Sequence, residues 1–170
     1  CSRRRRSTSC IYEASNCMSV KEKISSLGLS LPTAAAPVAA YVPAVKSGNL
    51  VFTAGQLPVV DGKLLKEGKV GRDVTAEDAK ELAQICALNA LAAISLVADL
   101  DQIERVVRVG GFVNCAPGFT AIPGVINGAS EFLIKIFGDV NGKHARTAVG
   151  VAELPLNAPV EVEVIVQLKN

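Results

Sequence analysis

A chain of 170 residues, 49% of them apolar, can bury a single core without metals or disulfides and is too short to call for two. The formal net charge of +2 misleads, because Arg3 to Arg6 alone contribute four positive charges, and residues 19–170 carry neither a basic stripe nor stacking aromatics, which argues against nucleic acid. Five cysteines without a CxxC argue against a zinc site or a disulfide framework, and the longest apolar run, Ile85 to Leu100, is too short and too polar to span a membrane.

Residues 1–17 are rich in Ser and Arg and lack hydrophobic periodicity, which predicts a disordered leader. It reads as a transit-peptide remnant, an upstream reading-frame extension or an artefact, since Met18 would make an ordinary start. Residues 18–170 are expected to form one domain, cytoplasmic unless the leader directs it to an organelle. Cys86 and Cys115 sit in apolar context and read as small buried hydrophobes in a reducing compartment.

Val20, Ile24 and Leu27 recur at helical spacing between Ser19 and a stop at Gly28, predicting a short helix. Leu31 to Ala40 is a proline- and alanine-rich loop. Tyr41 to Val45 and Leu50 to Ala54 are strand-like and flank a hairpin turn at Lys46 to Asn49, and Lys63 to Lys66 adds a short strand. Thr75 is a good N-cap for a helix to about Ala98, with an apolar stripe from Ala79 through Val97. A strand follows from Ile103 to Asn114, where Gly110-Gly111 allow a bulge or the close approach of another backbone. A second long helix runs from about Val125 to Phe137, and two strands end the chain. This order predicts an α+β domain with two long helices on one face of a mixed sheet. The other face, apolar and uncovered, predicts a homo-oligomer with pockets between subunits.

The last quarter carries the chemistry. Arg146 heads a strand of small residues through Val151, and a Leu154-Pro155 turn leads to an alternation in which Val160, Val162, Val164 and Val166 share one face. Glu161 and Glu163 must point the other way. An arginine beside small residues, with a glutamate delivered to the same neighbourhood, suits a small carboxylate substrate that needs a proton moved or a water activated.

Four segments in this order and spacing, Ala36 to Val45, Gly48 to Pro58, Leu88 to Ile94 and His144 to Val166, resemble the Rid family, also called YjgF-like or L-PSP endoribonuclease-like. The similarity covers roughly residues 35 to 168. It implies a chorismate-mutase-like α+β fold, a homotrimer with sites between subunits, and hydrolysis of reactive enamines and imines to 2-oxo acids and ammonia without cofactor or metal. The family's carboxylate-binding arginine falls on Arg146, its tyrosine on Tyr41, its helix asparagine on Asn127 and its water-activating glutamate on Glu161. Its Gly-Gln falls on Gly55 and Gln56, and the backbone after the arginine on Thr147 and Ala148. Ala54 replaces the family's serine, Ala148 its common cysteine, and the loop from Ala116 to Gly124 is longer, which marks a divergent subgroup.

Each assignment has an alternative. Arg146 could form an ion pair, and Glu161 with Glu163 could be the solvated face of an edge strand or pair with Arg105 or Arg108. Tyr41 could fill core, Asn127 could cap a helix, and Gly55 could mark a bulge. His144, the lone histidine, lies in a turn and reads as solvated; Cys115 as a nucleophile would need a histidine or a helix N-terminus beside it. The alternatives to a hydrolase are a non-catalytic trimer that binds a 2-oxo acid and an RNA-cleaving translation inhibitor.

Overall fold

The structure, a computed structural model, describes residues 18–34 and 40–170; the expected leader and part of the proline- and alanine-rich loop lie outside them. Its centre is the C-terminal strand β7 (Val160–Leu168). Val160, Val162, Val164 and Val166 are fully buried beneath the helices, while Glu161, Glu163, Ile165 and Gln167 remain partly exposed on the reverse face. A two-residue side-chain period delivers this separation directly.

On one side β7 pairs antiparallel with β2 (Leu50–Thr53), and β2 with β1 (Ala44–Ser47) through a two-residue turn in which Gly48 has φ +60°. On the other it pairs antiparallel with β5 (Ile103–Asn114), which pairs in parallel with β6 (Ala145–Val151). The mixed sheet therefore runs β1-β2-β7-β5-β6. β7 is the third of five strands, which corrects the edge-strand alternative for Glu161 and Glu163. A separate two-stranded ribbon joins β3 (Val59–Val60) to β4 (Lys63–Leu64) and lies outside the main sheet.

Two helices cover the valine face of the sheet. In α2 (Ala76–Ile94) the Thr75 hydroxyl accepts from the Asp78 N–H at 3.1 Å, as its sequence predicts. This helix ends four residues before Ala98, where Leu96 and Val97 have already turned to solvent. The next helix, α3 (Ile122–Gly142), starts earlier than expected because Pro123 enters its first turn, where a missing N–H costs nothing. Gly138, at φ +81°, breaks it after Phe137. The short α1 (Val20–Ser26) carries a capping box between Ser19 and Glu22, and its first N–H donates to Asp101 at 2.7 Å. No helix among the described residues is long and apolar enough to cross a membrane.

The first expected strand begins late. Pro43 offers no N–H to a ladder, so pairing starts at Ala44 and leaves Tyr41 and Val42 exposed ahead of it. The Gly110-Gly111 pair does not bulge; the register shifts lie between Ile103 and Arg108. These glycines instead make room for side chains, since a Cβ at Gly110 would lie 2.5 Å from the Glu163 carboxylate and one at Gly111 2.5 Å from Ile126.

The helices cross closest at Gly128 of α3, where an added Cβ would stand 1.8 Å from the backbone oxygen of Lys80 in α2. The Lys80 ammonium pairs with Glu131 at 2.9 Å over the same crossing. Because backbone cannot yield as a side chain tip can, Gly128→Ala should lower stability by about 3 kcal/mol. Gly124→Ala, which meets nothing within 4 Å, should gain about 0.5 kcal/mol. Urea unfolding midpoints of the two variants measure the contrast.

Candidate functional site

Arg146 is the second residue of β6 and lies opposite Val109 of β5, which in turn faces Val164 of β7, both fully buried beneath the helices. Its side chain therefore leans toward α3. There one guanidinium nitrogen, Nη1, donates to the Asn127 carbonyl oxygen at 2.8 Å and to the Ser130 hydroxyl at 3.2 Å. Asn127 sits in the second turn of α3 and does not cap it; its position three residues before Ser130 puts both on one helix face. The guanidinium itself is exposed, so the remaining donors of its fork are open to a ligand. Thr147 points to the reverse face, where its hydroxyl accepts from Arg108 at 3.0 Å. Ala148 follows on the helix side of an edge strand, whose outer edge pairs with no further strand among the described residues.

The glutamate lies elsewhere. Glu161 faces away from the helices, in the row that contains Phe112 and Val149. A Cβ added to Gly55 would stand 1.8 Å from the Glu161 carboxylate oxygen, so only glycine admits that carboxylate. Close approach of the Glu161 side chain is reason enough for glycine at position 55. Gln56 anchors the segment: its N–H donates to Val162 O at 2.8 Å, it accepts from Val162 N–H at 3.0 Å, and its side-chain amide donates to Ala54 O at 3.1 Å. Burial, then the neighbouring Glu163 carboxylate, raises the Glu161 pKa above its ordinary 4.5. Glu161 makes no ion pair with Arg105 or Arg108 among the described residues. Tyr41 precedes β1, close in chain to Pro43, whose carbonyl accepts from the Ala54 N–H at 2.8 Å; the residue is half exposed rather than filling core.

The expected residues thus fall into two groups on opposite faces of one sheet. Arg146, Asn127 and Ala148 occupy the helix side at the β6 edge; Glu161 occupies the open side with Gly55 beside its carboxylate, while Gln56 is paired with Val162 of the helix-side row. One chain does not bring Arg146 and Glu161 together. The open face also carries Val45, Phe52 and Val149, which are 51%, 39% and 40% exposed. No element of the described chain covers them, as the apolar strands led one to expect.

Two side chains gain roles that the sequence did not suggest. His144 is half-buried, not solvated: its Nδ1 lies 2.6 Å from the Gly142 carbonyl and its Nε2 3.0 Å from the Ser130 hydroxyl. Lys69 is 17% exposed at its side chain, donates to the Asn114 side chain at 2.7 Å and to the Ala152 carbonyl, and pairs with Glu153 at 3.2 Å. Asn114, fully buried, donates in turn to Asn157 at 3.2 Å, holding the turn into β7. Ser130 was legible in principle from its spacing to Asn127, whereas the long-range Lys69 contacts left no local trace. Cys115 has no histidine beside it, since His144 lies at the opposite end of the β5–β6 pair, and burial raises its pKa, which disfavours the thiolate.

Comparison with known proteins agrees with this architecture. The family model described as "YjgF/chorismate_mutase-like, putative endoribonuclease" matches residues 21–168. Protein TCP17 of Trypanosoma cruzi is 41% identical over 152 residues, 89% of this chain and 95% of that protein. A 2-iminobutanoate/2-iminopropanoate deaminase of Dermatophagoides farinae is 32% identical over 141 residues, 83% of this chain and 95% of its own. Among solved structures, the protein Atu1372 of Agrobacterium tumefaciens, of unknown function, superposes with a TM-score of 0.80 at 43% identity and covers 88% of this chain and 92% of that one. With its matched span, its mixed sheet and its paired helices, this chain belongs to the YjgF-like family, known also as the Rid or L-PSP family.

Proposed function

We propose that this protein hydrolyses reactive enamines and imines of small 2-oxo acids, releasing ammonia, in a site completed between copies of the chain. The observation that carries this reading is the division of the expected residues between two sheet faces. An exposed arginine fork braced by Asn127 and Ser130 suits a carboxylate, while a half-buried glutamate of raised pKa beside Gly55 suits activation of water. The Arg146 edge of one copy set against the open face of the next would join them, and repetition around a closed ring, three copies in this reading, would cover every apolar face. The deaminase among the relatives supports the same chemistry.

An imine carbon is already electrophilic, so the protein must mainly hold the carboxylate, place a water and move that water's two protons to nitrogen. Water attacks the imine carbon while Glu161 takes one of its protons and passes it to nitrogen, giving a carbinolamine; the carboxylate then carries the remaining hydroxyl proton to nitrogen as the C–N bond breaks, releasing ammonia and leaving the carbonyl of the 2-oxo acid. Ala54, which places no hydroxyl before Gly55, favours a second reading in which the site binds a 2-oxo acid without turning it over.

Ammonia release from enzymatically generated 2-aminoacrylate decides between the two. Arg146→Ala should lose about a hundredfold or more in kcat/KM, and Arg146→Lys should not restore it, since an ammonium lacks the planar fork. If wild type and Arg146→Ala are equally inert while wild type alone binds pyruvate, the binding reading stands. Co-expression of two inactive variants, Arg146→Ala and Glu161→Gln, should recover about a quarter of wild-type activity if each site draws on two neighbours at random. A site within one chain would recover none. Because the carboxylate is the working base and its pKa is raised, activity should fall as pH drops, with a midpoint above the ordinary glutamate value of 4.5. That acid limb should disappear from any residual activity of Glu161→Gln.

A further inference from the structure

We infer that His144 is a positioning residue for Arg146, acting through the hydroxyl of Ser130. The direction of each hydrogen bond follows from chemistry. A carbonyl oxygen only accepts, so the 2.6 Å contact with Gly142 O requires the proton on Nδ1 and leaves Nε2 of the neutral ring as an acceptor. Ser130 therefore donates its single hydroxyl proton to Nε2 across 3.0 Å. Its oxygen lone pairs are then left for Arg146 Nη1, 3.2 Å away. The chain from Gly142 through His144 and Ser130 to Arg146 has one consistent sense.

Serine inside a helix ordinarily turns its hydroxyl back to the carbonyl one turn earlier, here that of Ile126. Nε2 offers a competing acceptor that keeps the Ser130 oxygen aimed at the guanidinium. Burial, then the charge of Arg146, lowers the His144 pKa against the opposing pull of the Gly142 bond, which favours the neutral ring this arrangement needs. A cavity of about 340 Å³, lined by Ser130, Ile134, Lys143, His144 and Arg146, opens beside the three groups. Arg146 so becomes a preorganised donor whose second brace, besides Asn127, depends on a histidine one hydroxyl removed from it.

This inference rests on the proposed carboxylate site, and the test separates the two. Pyruvate binding to the full chain is measured by calorimetry for wild type, Arg146→Ala, Ser130→Ala, His144→Asn, His144→Gln and the double variant Ser130→Ala/His144→Asn. Glutamine can place an acceptor where Nε2 stands, whereas asparagine reaches only the Nδ1 position. His144→Asn and Ser130→Ala should each weaken binding about fivefold, the double variant no more than Ser130→Ala alone, and His144→Gln should recover most of the loss. Wild-type affinity in both His144→Asn and Ser130→Ala, additive losses in the double variant, or equal losses in the two His144 variants would overturn the relay. If the His144 variants do not fold, Ser130→Ala and the ring nitrogen signals of the chain's single histidine decide. Nε2 should shift on loss of the Ser130 hydroxyl, and an unmoved signal rejects the relay. Unaltered pyruvate binding by Arg146→Ala, or none by wild type, removes the carboxylate reading instead and leaves the relay to the nitrogen signals.

Discussion

Burial of the β7 valines under the two long helices governs where every polar group of this protein can go. Four valines at alternate positions are fully dehydrated, and a strand cannot turn only some of its side chains. The glutamates between them are thereby committed to the reverse face, however poorly water or neighbours satisfy them there. The same alternation, carried through β5 into β6, sends Arg146 toward α3. Separation of the two charged groups is thus a consequence of core packing.

Glycine does much of the remaining work. Gly55 and Gly110 leave floor space for Glu161 and Glu163, so two carboxylates lie flat over a sheet where larger residues would push them outward. Partial burial, then the neighbouring Glu163 carboxylate, raises the pKa of Glu161. The open face therefore combines apolar side chains with an acid held in readiness, a combination more in keeping with an enclosed interface than with free surface.

Much of this was legible in local sequence. The strand from Ile103 to Asn114 lies between the residues expected, Thr75 caps α2, and the valine alternation marks the buried face of β7. Errors arose where one residue outweighed its neighbours. Pro43 delayed a strand that Tyr41 and Val42 favoured, and Pro123 began a helix that a loop-like Pro-Gly pair had concealed. The sequence offered candidate residues one by one but not their grouping. Nothing local to Arg146 or Glu161 reveals that a sheet divides them, since that follows from which strand each occupies and in what register. His144 shows the same gap: a turn after Asn-Gly predicts exposure, yet a hydroxyl fourteen positions earlier draws the ring inward.

Gly128 stands between Asn127 and Ser130, and its bare backbone rests against the Lys80 carbonyl. The α3 face that braces Arg146 consequently cannot roll by even a fraction of a turn without driving main chain into main chain. Asn127 and Ser130 are thereby presented to Arg146 from a fixed platform. A change in how Arg146 is presented then has to come from the side chains at positions 127 and 130, since the main chain beneath them has no room to shift.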